Sequence, residues 1–313
     1  MMRFQSDYWA LIIGGSSGFG LAAAQKLAGH GMNLCIVHRD RRSAMRRIEP
    51  AFEELRATGV DVVTFNLDGL TGEGRQTVLD GLEASLSGNG RVRLLLHAVA
   101  FGNLKLLAPY SATDAAGSAR EKLARETGID PEDFHRIVRQ AFDEGWDALH
   151  ALTDSEGDYD NKRFLDKDDF SRTIQAMGYN IVQWAQDLLG RQMFAPDARV
   201  VSLTSEGNSI AWRGYAAVSA AKAVLESVAR SMAVELAPQG IRSNVIQAGV
   251  TDTPGLRAIP GNRRISAQSR LRNPFGRLTT PQDVANVIFL LCLDEAAWIN
   301  GALICADGGE RIG

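Results

Sequence analysis

The sequence predicts a doubly wound α/β fold, with one parallel sheet of seven strands, helices on both faces and a helical insertion after the fourth strand. Three observations carry this. Short apolar runs alternate with helix-period segments from residue 8 to 100, a glycine-rich turn joins the first run to the first helix, and the alternation lapses over 103–169 before resuming.

Taken in order, Tyr8–Ile13 is a short apolar run ending in glycines, as buried parallel strands do. A helix over Leu21–Gly29 and a strand over Met32–Val37 follow, then a helix over Arg46–Ala57, a strand over Val60–Leu67, a helix over Thr77–Ser85 and a fourth strand over Val92–Ala100. Within the insertion, Asp130-Pro131-Glu132-Asp133 combines an N-cap, Pro at the first helical position and acids in the first turn. Phe134, Ile137, Val138, Ala141, Phe142, Trp146, Leu149 and Leu152 then repeat at helical spacing, so one helix with a buried face is expected to reach Leu152. Thr153–Asp169 reads as a polar, acidic link without calcium-loop register. After it come a helix over Thr173–Leu189, a strand over Ala198–Leu203, a long helix over Tyr215–Leu236, a strand over Ile241–Ile246, a loop-rich stretch over Thr251–Thr280, a helix over Pro281–Leu293 and a last strand over Ala302–Ala306. The expected organisation is a single domain, 1–313, with 103–169 as a helical insertion inside it.

Composition narrows the function classes. Hydrophobic residues make up 45% and charged residues 23% of the 313, ordinary globular values that exclude disordered and fibrous architectures. A net charge of −3 offers no general field for nucleic acid. The insertion is acidic, with 9 Lys/Arg against 16 Asp/Glu, whereas 251–280 holds Arg257, Arg263, Arg264, Arg270, Arg272 and Arg277 beside the single acid Asp252. Those arginines are expected to be solvated surface in the main, or a flap that attracts substrate phosphates. Cys35, Cys292 and Cys305 sit in apolar runs without metal spacing and read as small core residues in a reducing compartment. No apolar stretch is long enough to span a membrane, and a cytoplasmic protein without a metal site is expected.

Gly14-Gly15-Ser16-Ser17-Gly18-Phe19-Gly20 lies directly between the first strand and the first helix. Glycines there let backbone N–H groups approach a pyrophosphate, and the helix N-terminus favours its charge. The end of the second strand selects the dinucleotide: an acid suits the ribose 2′-OH of NAD, an Arg the 2′-phosphate of NADP. His38 stands in the acid's place and Arg39 follows, which favours NADP(H) over NAD(H).

These motifs, with Asn66-Leu67 after strand three, Arg242-Ser243-Asn244 entering strand six and Asp307-Gly308-Gly309 near the end, resemble a short-chain dehydrogenase/reductase. Most members pair Tyr and Lys four residues apart, yet here Val218 stands four before Lys222 and Tyr215 stands seven before it. That wider spacing is similar to a divergent branch, the enoyl-acyl-carrier-protein reductases. His97-Ala98-Val99-Ala100-Phe101-Gly102 and Gln247-Ala248-Gly249 also resemble stretches of that branch. At 3.6 residues per turn either spacing keeps Tyr and Lys on one helix face.

The resemblance implies a Rossmann-type fold and conjugate reduction of an α,β-unsaturated acyl thioester carried on coenzyme A or on a carrier protein. Tyr215 would hydrogen-bond the developing oxyanion, while Lys222 would hold the nicotinamide ribose and lower the phenol's pKa. Thr253 would lie near the pyrophosphate and carboxamide, and Ser16, Ser17, Phe19, Asn66, Leu67 and Ala98 complete the expected cofactor set. Ser205 occupies two family positions at once, that of the branch's second Tyr and that of the wider family's catalytic Ser. Met177 replaces the active-site Asn, with Asn180 one turn away. A homotetramer is implied, and the insertion is expected to act as a lid over an acyl pocket or, alternatively, as an oligomer contact. The alternatives are an NADP-dependent ketone or alcohol dehydrogenase and a non-catalytic nucleotide-binding regulator.

Overall fold

The computed structural model describes residues 3–86, 88–110, 115–153 and 159–313. The seven expected strands are present: β1 Tyr8–Ile13, β2 Asn33–His38, β3 Val62–Asn66, β4 Arg91–His97, β5 Phe194–Thr204, β6 Arg242–Ala248 and β7 Leu303–Ala306. All pair in parallel in the order β3-β2-β1-β4-β5-β6-β7. Ile13 pairs with both Val37 and His97, and His97 pairs with Ser202. The strands therefore end at one edge. Strand order reverses between β1 and β4, which opens the crevice where sheets of this kind bind ligands.

Helices α1 Gly18–Gly29, α2 Arg42–Arg56, α3 Gly72–Ser85, α7 Asn180–Gly190, α8 Ala216–Glu235 and α11 Pro281–Leu291 cover the sheet. Strands buried on both faces need two cores. One gathers Ile12, Leu27, Phe52, Leu96 and Ile288; the other gathers Leu11, Leu79, Trp184, Val200 and Leu225. Cys35 and Cys292 lie inside as expected, whereas Cys305 is exposed, because β7 is the sheet's outer strand and its alternate side chains face out.

The insertion departs from its sequence reading. Helix α5, Pro131–Asp143, starts on the expected Asp130 cap, which accepts from Glu132 and Asp133. It stops well short of Leu152 because Gly145 adopts φ +104°, and the chain resumes as a 3-10 helix, Asp147–Leu152. Val138 and Phe142 are buried, but Ile137 and Trp146, expected on the same face, are exposed. Helix α4, Ala115–Thr127, had no apolar periodicity to announce it. The acidic link ends in α6, Lys167–Ile174, on an Asp166–Asp169 capping box; its residues 154–158 lie outside the described ones. A π turn, Gln175–Tyr179, then joins α6 to α7 within what reads as one helix.

At the opposite edge of the sheet, Arg93 and Arg199 are fully buried and satisfy the last carbonyls of α11. Arg199 donates to Leu291 O at 2.8 Å and Arg93 to Cys292 O at 3.0 Å. Asp197 neutralises both, at 2.7 and 2.6 Å, and pairs also with Arg242. Cations at a helix C-terminus meet both its unpaired carbonyls and its dipole.

Candidate functional site

The crevice holds a cavity of about 580 Å³. Its floor begins where β1 runs into Gly14, which has φ +91°, and where a Cβ would stand 2.7 Å from the Ala98 carbonyl. Only glycine lets these two strand ends approach so closely. At Gly20 a Cβ would stand 2.1 Å from Gly14 O, so that residue lets α1 seat on the turn and does not itself line the cavity. Ser16, Ser17, Gly18, Phe19 and Ala98 do line it. Ser17 occupies the N-cap of α1 in extended conformation without a capping side-chain bond, and the first turn carries no acid. The helix start thus keeps its donors and partial positive charge for an anion, which fits a dinucleotide pyrophosphate.

At the end of β2, His38 and Arg39 reach the cavity. Asp40, next in sequence, turns back to the His38 ring at 3.0 Å. Asn66 does not line the cavity. It clamps Asp40 instead, accepting from its N–H at 2.9 Å and donating to its carbonyl at 3.1 Å, and so fixes the turn that carries Arg39. Leu67 lines the cavity, as does Asp68, which sequence reasoning did not single out. Asp68 takes the Arg39 guanidinium at 2.6 Å, and Arg39 also lies over the Phe101 ring. A half-exposed guanidinium with one carboxylate partner retains donors for a phosphate.

The other half of the cavity is built by β5 and α8. Tyr215 is the N-cap residue of α8 and Lys222 lies two turns on; both line the cavity with Ser205, which follows β5. Lys222 is buried, and Nζ donates to the Leu203 carbonyl at 2.8 Å. Burial pushes its pKa down to about 8, against an opposing pull from Glu226. The Tyr215 pKa is raised by burial and lowered in part by the neighbouring Ser205 hydroxyl. The expected lowering by Lys222 thus gives way to a net rise, because loss of water around the phenol outweighs the groups beside it. The phenol stays protonated and can act as a donor. Ser205 lines the cavity beside Tyr215, with its Oγ buried against the phenol. Gly207, another residue the sequence did not flag, packs under the phenol ring; a Cβ there would stand 2.5 Å from it.

Met177 and Val218, the two departures from the family pattern, form an apolar wall with Ala176 and Ala221. Met177 lies in the π turn and lines the cavity, whereas Asn180 is fully buried beyond it. Asn180 faces His97, whose imidazole is pushed down to about 3 by burial and by the Lys222 charge, against opposing contacts with Ala176 and Asn180. A neutral histidine therefore lies behind the lysine. Thr253 lines the cavity, lies beside Gly18 and caps the short helix α9, Pro254–Arg257, by accepting from Leu256.

The loop-rich stretch is more ordered than expected, since α10 spans Asn262–Arg272. Its arginines are mostly engaged. Arg257 meets Asp252, Arg263 meets Asp143, Arg270 meets Asp147, Arg272 meets Glu206 and Glu310, and Arg277 meets Asp283. Arg257, Arg263 and Arg277 remain more than half exposed, in line with a solvated surface, while Arg270 and Arg272 are drawn in by their acidic partners. From the insertion, Leu104 lines the cavity; α4 and α5 do not. Among the described residues no group of His, Cys, Asp and Glu could hold a metal ion, and no helix is long and apolar enough to cross a membrane.

Residues 126–310 match the family described as "Enoyl-(Acyl carrier protein) reductase" and residues 8–118 match "short chain dehydrogenase". The NADH-dependent enoyl-[acyl-carrier-protein] reductase FabI of Escherichia coli is 32% identical over 157 residues, 50% of this chain and 58% of that protein. Cis-4-hydroxycyclohexanecarboxylate dehydrogenase of Sinomonas cyclohexanicum is 32% identical over 46% of this chain and 57% of that protein. The chain thus spans under two thirds of the length of these relatives, whereas a tropinone reductase homolog of Datura stramonium is 24% identical over 97% of this chain and 91% of its own. Among solved structures, a short-chain dehydrogenase of Burkholderia cenocepacia in complex with NADP superposes with a TM-score of 0.68 at 20% identity, covering 99% of both chains. An NADPH-bound short-chain oxidoreductase of Pseudomonas aeruginosa with an atypical catalytic center gives 0.68 at 22% identity over 98% of both. At these identities the likeness concerns the fold.

Proposed function

Because the chain belongs to the short-chain dehydrogenase/reductase family and is an oxidoreductase of that family, we propose that it reduces the C=C bond of an α,β-unsaturated acyl thioester with NADPH. The observation that carries this reading is the Tyr215–Lys222 pair, seven residues apart with Val218 at the usual tyrosine position, set in one cavity with a protonated phenol. A bound nicotinamide supplies the hydride.

The chain's residues do the rest. The Gly14 turn and the uncapped start of α1 would hold the pyrophosphate, Arg39 the 2′-phosphate, Lys222 the nicotinamide ribose and Thr253 the region of the carboxamide. As hydride reaches the β-carbon, the C=C electron pair moves toward the thioester oxygen, and a proton taken from solvent then completes the α-carbon. Tyr215, further from Lys222 than a four-residue spacing would put it, is displaced toward that oxygen and donates to it as charge develops. Met177 and Val218 keep this end of the cavity apolar, so the oxyanion meets one strong donor in a dry surrounding. Coenzyme A or a carrier protein would present the acyl chain.

Ser205 supports a second reading. Its hydroxyl, set against Tyr215, suits polarisation of a ketone, as in an NADP-dependent ketone or alcohol dehydrogenase, and dehydrogenases stand among the relatives. Product analysis separates the two. Crotonyl-CoA converted to butyryl-CoA supports the enoyl reductase; reduction of acetoacetyl-CoA alone supports the dehydrogenase; NADPH binding without turnover of either leaves a non-catalytic regulator.

A further inference from the structure

Helix α10 joins three parts of the molecule. Ile265, on this helix, lines the cavity, and the helix packs against the insertion's 3-10 helix. Its sequence, NRRISAQSRLR, holds four arginines and no acid, so its charge is neutralised from outside. At its C-terminus Arg272 pairs with Glu206 at 2.5 Å and Glu310 at 3.0 Å, and Glu206 directly follows Ser205. The remaining partners come from the insertion. Arg270 takes both oxygens of Asp147, at 2.5 and 2.6 Å, in the two-pronged geometry that makes an arginine pair specific. Asp147 is only 15% exposed, which sets this pair apart from ordinary surface pairs of small value. Arg263 reaches Asp143 at 2.5 Å and lies over the Phe142 ring.

We infer that the insertion is a clasp: Asp147 and Asp143 position α10, and through it they set the wall of the cavity's substrate end without touching substrate. The two acids belong to a stretch carrying an excess of negative charge, and the helix they hold is purely basic. This charge complementarity accounts for both halves. Apart from Thr253, which caps α9, the cofactor residues lie at the start of α1, at the ends of β1, β2, β3 and β4, and on α8, none of which the clasp holds, so its loss acts chiefly on substrate binding.

The test compares wild type, Asp147→Asn and the double swap Asp147→Arg/Arg270→Asp. The kinetic arm rests on the enoyl-reductase reading; hydrogen exchange of 262–272 in the full chain does not. Asp147→Asn is expected to raise the KM for crotonyl-CoA about fivefold with kcat held within about twofold, a change of roughly 1 kcal/mol in ground-state binding. Exchange across 262–272 quickens by a similar factor while the NADPH Kd and exchange in β1 and β4 stay put, and the swap restores both. Unchanged exchange across 262–272 in Asp147→Asn overturns the clasp, as does a general loss of protection or a folded swap variant that restores nothing. If wild type does not reduce crotonyl-CoA, the enoyl reading fails alone and the exchange result still decides.

Discussion

Lys222 is charged and buried, a costly combination that a carbonyl oxygen at 2.8 Å only partly offsets. With its pKa pushed down to about 8, the ammonium is lost within an accessible range. If catalysis needs that charge, kcat/KM should be level below this value and fall as pH rises through it, and a pH–rate profile of the wild type reads this directly. A profile level to pH ~10, the range of an unperturbed lysine, would show that burial does not act on Lys222 in the working enzyme. Arg39 makes a different prediction. Removing its guanidinium in Arg39→Ala should weaken NADPH about tenfold or more and leave NADH nearly unchanged, as fluorescence titration would measure. Equal loss for both dinucleotides would mean that Arg39 serves the Asp68 pair and the Phe101 ring rather than a phosphate. The Tyr215, Lys222 and glycine positions were legible because their spacing is a sequence property. Asp68, Glu206 and Gly207 were not, because their importance lies in what comes near them after folding: the Arg39 guanidinium, the Arg272 guanidinium and the Tyr215 ring.

At the scale of elements, burial on both faces made the strands read as unbroken apolar runs, and every one was found within a few residues of its expected bounds. The helices of the insertion were harder for the same reason reversed: α4 has no strong apolar stripe, and α5 was overextended because helical spacing continues past Gly145, whose conformation stops it. The cluster of Asp197 with its three arginines also escaped the sequence, since Arg93 and Arg242 come from the strands on either side of the one that carries Asp197 and Arg199. Burial pushes the Asp197 carboxyl up, but Arg199 and Arg93 prevail and hold it at about 2. A depressed carboxylate contributes stability above its unfolded value and loses it as pH falls through the folded one. The gap in melting temperature between wild type and Asp197→Asn should therefore be full at pH ~5 and close toward pH ~2. Arg199→Met should lower the melting temperature by roughly 5 °C or more, since it leaves the Leu291 carbonyl unpaired and takes one of three arginines from Asp197. A constant gap across the acid range would show that the cluster does not stabilise through Asp197's charge.

Across the whole molecule, one edge of the sheet carries the chemistry and the other the electrostatic anchoring of α11, while β7 closes the sheet with an apolar flank. Trp298 is 97% exposed there, with Val234 and Leu303 also exposed. If the expected homo-oligomer forms through this flank, light scattering of Trp298→Glu beside wild type should show a smaller species. The same mass for both would place the contact elsewhere. The central claim concerns the displaced tyrosine, and the measurement that tests it most directly is NADPH consumption with crotonyl-CoA by wild type and Tyr215→Phe. Loss of one hydroxyl should cut kcat by about a hundredfold or more with the NADPH Kd unchanged, as removal of an oxyanion donor does. Turnover equal to wild type in the phenylalanine variant would contradict the account.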